Sequence, residues 1–180
     1  MKRIAGKLGV AAAALLLAGA AQALEVGGVK LPERATVAGK ELVLNGAGVR
    51  TRVVFRVYVA SLYLPAKEGD LTGTLAQSPR RVQLDMLRNV GADDLVGALV
   101  DGMKGANSAP EMAAVQPQTD QLVTLMKSIG EAKKGDVVTL DYADGETRVG
   151  HNGKALGAIA GAAFNEALLK IWLSDKPVQE

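Results

Sequence analysis

The sequence predicts an α+β domain of mostly antiparallel strands, with two helices inserted between strands and one closing helix, behind a cleavable export signal. Three observations carry this reading. Gly46–Pro65 is a long strand-like run of Val, Phe, Tyr and Thr, side chains that suit a pleated surface. Two stripes of apolar residues at helical spacing follow it, at Leu95–Met103 and Leu122–Ile129. Residues 136–159 then carry an Asp-Gly and an Asn-Gly between short β-type runs, the strongest local hairpin signals.

The first 23 residues read as a secretory signal. Lys2, Arg3 and Lys7 form a basic start, Leu8–Ala18 an apolar centre, and Ala21-Gln22-Ala23 a small-x-small cleavage site. The apolar run falls short of the ~20 residues that span a membrane. The expected division is therefore a signal peptide over 1–23 and one domain over 24–180, placed in the periplasm with no membrane span after cleavage. Cleavage takes the 21 lysines and arginines to 18, against 19 acids. The basic charge is then gone, and no basic block or helix remains to bind nucleic acid. Residues 24–180 suffice for one domain with a proper core. The chain has no cysteine, which excludes disulfides, thiolate metal sites and cysteine nucleophiles.

Glu25–Val29 reads as a short strand or arm broken by glycines, followed by a turn at Pro32-Glu33. Lys40–Asn45 alternates and reads as a strand feeding Gly46. From Val49 to Leu64 a single strand would run about 50 Å at ~3.3 Å per residue, so a bend or bulge is expected inside it. Thr51, Val53, Phe55, Val57 and Val59 share one parity and read as the core face. Arg50, Arg52, Val54, Arg56 and Tyr58 share the other, a wetter cationic face. Past Ala60 both parities turn apolar, which suits burial on both sides.

Leu71–Gln77 is expected as a short helix and Arg80–Leu87 as a half-buried strand with Val82, Leu84 and Met86 inward. A helix begins at Gly91-Ala92, with Asp93 and Asp94 in the first turn where the dipole favours acids, and ends near Lys104-Gly105. Residues 106–118 read as a polar connection containing Pro110 and Pro117, with a turn of helix at Glu111–Val115. The next helix runs from about Thr119 to Ile129. Strands are expected at 136–142, 147–151 and 154–159, and the last helix at Ala162–Trp172. The small residues Gly157 and Gly161 leave room for another backbone or a ligand.

Gly46-Ala47-Gly48-Val49-Arg50, followed by Val57–Leu64, resembles the opening strands of the chalcone isomerase-like family. Lys134–Tyr142, Asn152-Gly153-Lys154 and Phe164–Pro177 agree in order and spacing. The similarity runs from about Leu31 to Pro177 and points to the bacterial exported branch. It implies an open-faced β-sandwich, a curved, mostly antiparallel sheet with helices on one face. True chalcone isomerases use an arginine on the long strand, a nearby threonine, a tyrosine and an asparagine seven apart on the following helix, and a late threonine. Here the arginine is matched by Arg50. The threonine position holds Tyr58, the helix positions fall near Asp94 and Asp101, and the late threonine is missing. Aspartates there would oppose the negative charge that a ring closure develops. An arginine paired with a tyrosine resembles the fatty-acid-binding members instead.

Arg50 and Tyr58 are therefore the candidate ligand-binding residues, a guanidinium and a phenol able to hold a carboxylate while a sheet–helix cleft takes an acyl tail. The leading expectation is a non-catalytic binder of a small amphipathic anion such as a fatty acid, with no cofactor and no metal. The alternatives are an isomerase (intramolecular lyase) with divergent donors and an envelope protein-interaction module. The pattern sets no oligomeric state. His151, the only histidine, reads as an exposed turn residue rather than a general base. Met86, Met103 and Met126 read as core filling rather than a pocket lining. Gly46-Ala47-Gly48 leads into a strand and not a helix, so it is no phosphate loop.

Overall fold

A computed structural model describes residues 23–174; the expected signal segment, apart from Ala23, lies outside the described residues. The described residues begin with β1 (Leu24–Val26), β2 (Val29–Leu31), β3 (Arg34–Val37), β4 (Lys40–Arg52) and β5 (Phe55–Leu64). Next come α1 (Leu71–Leu75), β6 (Arg80–Met86), β7 (Val90–Gly91), α2 (Ala92–Ala106), α3 (Ala109–Ala114), α4 (Gln116–Lys127) and β8 (Glu131–Ala132). The meander β9 (Val137–Ala143), β10 (Glu146–His151) and β11 (Lys154–Ala160) leads to α5 (Ala162–Leu173). Seven strands form one antiparallel sheet in the order β11-β10-β9-β6-β5-β4-β3. The segment α2–α4 is inserted between the neighbouring strands β6 and β9. This is the α+β architecture that the sequence predicts, with the helices packed on one face.

The long strand-like run is not one strand. It is the adjoining arms of the β4–β5 hairpin, joined at Val53-Val54, with Arg52 opposite Phe55. The turn is hidden in the sequence because its tip carries no Gly, Asn, Asp or Pro. Val53 takes φ +59° there, a conformation costly for a β-branched residue. Strand propensity and turn geometry conflict at this point, and the pairing of the two arms decides the outcome. The expected faces change accordingly. Val53, Val54 and Phe55 are 89%, 77% and 57% exposed, whereas Tyr58, expected on the wetter face, is 3% exposed. Burial of both parities from Ala60 to Leu64 is observed.

The expected irregularity exists as two bulges. Asn45 is extra between the Leu44–Tyr63 and Gly46–Leu62 pairs, and Val57 is extra between the Arg50–Tyr58 and Thr51–Arg56 pairs. The second bulge brings Val57 and Tyr58 together on the helix side, where both pack against the main core. Leu62, Leu64, Val82, Leu84 and Met86 supply the sheet's share of that core. Leu95, Leu99 and Met103 of α2, Leu122 and Met126 of α4, and Phe164, Leu168 and Ile171 of α5 supply the helical share. The three methionines are core, as the sequence suggests. On the opposite face a smaller core of Leu31, Val37, Leu42, Leu44, Val59 and Tyr63 sits over β4 and β5. Farther along that face Arg81 grips Asp141 through two 2.6 Å bonds.

The turn of helix expected at Glu111–Val115 is α3, which starts two residues earlier, at Ala109. Ser108 caps α3 through a capping box with Glu111. Pro117 sits in the first turn of α4 rather than ahead of it, a position where its missing N–H is not needed. Both meander turns have two residues at positive φ, Asp144-Gly145 and Asn152-Gly153, as hairpins of this type require. Gly157 is resolved as a packing position: a Cβ there would lie 2.6 Å from Leu125 of α4. His151 is half-buried rather than exposed, and its Nε2 lies 2.9 Å from Asp136. The Asn152 amide, the Lys133 backbone N–H and His151 together hold the Asp136 carboxyl down at about 2.

One buried group ties α5 to the sheet. Arg80, 4% exposed, donates through Nε and Nη2 to Asn165 Oδ1, at 2.9 and 2.6 Å. Its Nη1 donates to the carbonyls of Leu75 and Gln77, and the guanidinium lies 4.0 Å from the Tyr142 ring centroid. Asn165 in turn donates to Thr147 Oγ1 at 3.0 Å. Asn165→Ala leaves this buried cation short of its acceptor, and a loss of about 2–4 kcal/mol is expected in urea unfolding. A much smaller loss would mean that water reaches Arg80 and replaces the amide.

Candidate functional site

The site follows from hairpin register. In an antiparallel pair, residues directly opposite one another project to the same face. Gly46, Gly48 and Arg50 on β4 lie opposite Leu62, Ala60 and Tyr58 on β5, all on the helix side. Two positions without side chains thus precede the arginine and leave the sheet open beneath the end of α5. Arg50 and Tyr58 are brought together as direct cross-strand partners. They meet because the chain folds back at Val53-Val54, and not because they share the parity of one continuous strand.

Tyr58 is the buried member. Burial raises its phenol above the ordinary value, and the Trp172 indole N–H and the Arg50 guanidinium beside the hydroxyl pull in the other direction. The net shift is upward, so the group is a neutral hydroxyl able to donate or accept. The Trp172 N–H faces this hydroxyl without completing a hydrogen bond of ordinary geometry, and it is buried. Arg50 is half-buried, and its Nη1 also donates to the Thr51 carbonyl at 3.3 Å.

Two cavities flank this cluster. The first, about 350 Å³, is lined by Arg50 and Tyr58 with Phe55, Val57, Val90, Leu95 and Ala98, and by Arg52, Arg88 and Asp94 toward its mouth. The second, about 230 Å³, lies between Gly46–Gly48 and the end of α5, against Leu62, Leu169, Trp172 and Leu173. Only the first contains both candidate residues. It has an apolar floor, one neutral hydroxyl and three guanidinium groups against a single carboxylate, a balance that favours an anion with an apolar body. Its size is at the lower end of the roughly 300–1,000 Å³ usual for small-molecule pockets. Arg88 stacks on the Phe55 ring, 4.7 Å from its centroid.

The chain's match to the family model described as chalcone isomerase-like covers residues 23–180. The chain belongs to the chalcone isomerase-like family. Among solved structures it is similar to a fatty-acid binding protein of Arabidopsis thaliana, with a TM-score of 0.64 and 11% identity over 84% of this chain and 88% of that one. At that identity the likeness is one of fold. No curated protein matches the sequence.

Within the chalcone isomerase-like frame, Asp94 lines the cavity and Asp101 lies exposed on α2. Asp93, beside them, forms an ion pair with Lys127 at 2.9 Å. Sequence reading names Arg50 and Tyr58, which the register brings together, and does not single out Arg88 of the cavity wall or Trp172 beside the Tyr58 hydroxyl. Arg88 follows β6 with no motif to mark it, and Trp172 looks like one more buried residue of an amphipathic helix.

The two cavities are separable by filling each in turn. Ala98→Phe occupies the first cavity from α2. Gly46→Leu enters the second, where an added Cβ meets no atom within 4 Å. Isothermal titration with a fatty acid is expected to show binding lost in Ala98→Phe and retained in Gly46→Leu. The reverse result would place the ligand under α5.

Proposed function

We propose that the chain is a non-catalytic binder of a small amphipathic carboxylate such as a fatty acid, exported to the periplasm by a signal cut after Ala23. The observation that carries the reading is the pairing of Arg50 with Tyr58 at the wall of an apolar-floored cavity. The guanidinium and the neutral phenol together offer charge-assisted donors to a carboxylate head. Phe55, Val57, Val90, Leu95 and Ala98 offer apolar surface to its tail. The fatty-acid binding protein of the same fold supports this ligand class.

Ring closure of the chalcone isomerase type calls for donors aimed at a developing oxyanion. The cavity wall contributed by α2 presents Asp94, a carboxylate that accepts hydrogen bonds and, ionised, donates none. The charge balance here suits holding an anion rather than generating one beside Asp94.

Thermal melting of the chain from Leu24 with fatty acids of graded length tests the reading. A ligand at about 100 times its Kd stabilises by roughly 2.7 kcal/mol, which raises the melting temperature of a domain this size by roughly 5–10 °C. The shift is expected with a subset of chain lengths, to fall sharply in Arg50→Ala and to shrink in Tyr58→Phe. Absence of a shift with every acid, or an unchanged shift in Arg50→Ala, would contradict the reading.

A further inference from the structure

The tip of the β4–β5 hairpin is unusual in three independent respects. Val53, Val54 and Phe55 form one contiguous exposed apolar group, an arrangement that a domain with no use for it avoids. Val53 holds a positive φ where a glycine or asparagine would be unstrained. Arginines flank the group: Arg52 opposite Phe55, Arg88 stacked against the Phe55 ring, and exposed Arg56 next to Phe55 in the chain, its guanidinium lying back toward Gly27. No aspartate or glutamate occurs between Glu41 and Glu68, so the two arms carry no acid near the tip, and the one carboxylate in the adjoining cavity lining is Asp94 of α2, against Arg50, Arg52 and Arg88. The same tip forms the mouth of the first cavity, since Arg52, Val53 and Phe55 line both.

We propose that this hairpin tip docks the protein on an anionic lipid bilayer, with Val53, Val54 and Phe55 entering the interface and the arginine collar meeting lipid phosphates. Apolar side chains ringed by guanidinium groups match a surface that is apolar beneath a negative layer. Arginine is suited to it, because its stem lies along apolar surface while its head holds phosphate. A second copy of the chain fits less well, since two such collars would bring like charges face to face. The docking is peripheral: among the described residues no helix is long and apolar enough to cross a membrane. The consequence for the cavity rests on the carrier reading above. With the mouth at the bilayer surface, an amphipathic acid passes between membrane and cavity without crossing bulk water.

Co-sedimentation of the chain from Leu24, which holds every described element, tests the docking with two vesicle types. One is phosphatidylcholine alone and the other phosphatidylcholine mixed with phosphatidylglycerol. Binding is expected to the anionic vesicles and not to the neutral ones, and to weaken with salt. Val54→Asp, at a position outside the cavity lining, is expected to reduce it on the order of tenfold, and Arg56→Gln by about fivefold. Both variants are expected to keep the wild-type melting temperature and fatty-acid binding in vesicle-free solution. Equal binding to both vesicle types, no binding to either, or full binding by Val54→Asp would overturn the proposal. So would sedimentation velocity showing that Val54→Asp disrupts a dimer while vesicle binding stays intact. Vesicle binding that depends on the tip, in a protein that binds no fatty acid, would remove the carrier reading and leave the docking in place.

Discussion

The pairing of β4 with β5 is the constraint from which the site follows. It fixes Arg50 opposite Tyr58 and sets two glycines along the same face. With the bulge at Val57, it turns the apolar side chain before Tyr58 toward the helices as well. A one-residue slip of either strand in this register would part the pair, sending Arg50 to the far face if β4 slips or Tyr58 out of the main core if β5 does. The pairing is secured by what lies on each side of it. The main core buries Tyr58, Leu62 and Leu64 from one face, and the smaller core buries Val59 and Tyr63 from the other. The strained, apolar tip therefore needs no favourable turn residue of its own, because both arms are held along their length.

The other half of the cluster depends on the helical layer. Trp172 reaches the Tyr58 hydroxyl only because α5 lies across the sheet at a set depth. Arg80 and Asn165 hold that helix through a buried hydrogen-bond network with Thr147. Close contacts made possible by small residues set neighbouring elements in place: Gly102 of α2 admits Ile171, and Gly157 of β11 admits Leu125. Burial has raised the Tyr58 pKa and lowered that of Arg80, yet each sits among partners that suit the form it holds. A neutral phenol beside a half-exposed guanidinium is the combination that can bind a carboxylate without burying an unpaired charge.

Much of the fold is legible in the sequence, and the places where it is not have physical reasons. The helix stripes at Leu95–Met103 and Leu122–Met126 and the two meander turns stand out because their spacing and turn residues agree with the structure they form. The β4–β5 hairpin does not, because Val53-Val54 has the side chains of a strand and the backbone of a turn. That single conflict merges two strands and assigns Tyr58 to the wetter face. Arg50 and Tyr58 are nonetheless found as candidates, through the family resemblance. Their true relation is cross-strand, a contact that parity along one chain segment cannot express. Sites where local preference and structure disagree are often functional, and here the disagreement lies at the cavity mouth.

The central claim is that Arg50 and Tyr58 hold a carboxylate. It is tested most directly by carbon NMR of a fatty acid labelled at the carboxyl carbon, titrated with pH while bound. A guanidinium and a phenol donating to the carboxylate should keep it ionised to lower pH than in the free acid. The bound signal should therefore titrate below that of the unbound ligand and move back toward it in Arg50→Gln. A bound carboxyl that titrates like the free acid, and does not change in Arg50→Gln, would show that the head group lies elsewhere and would contradict the account.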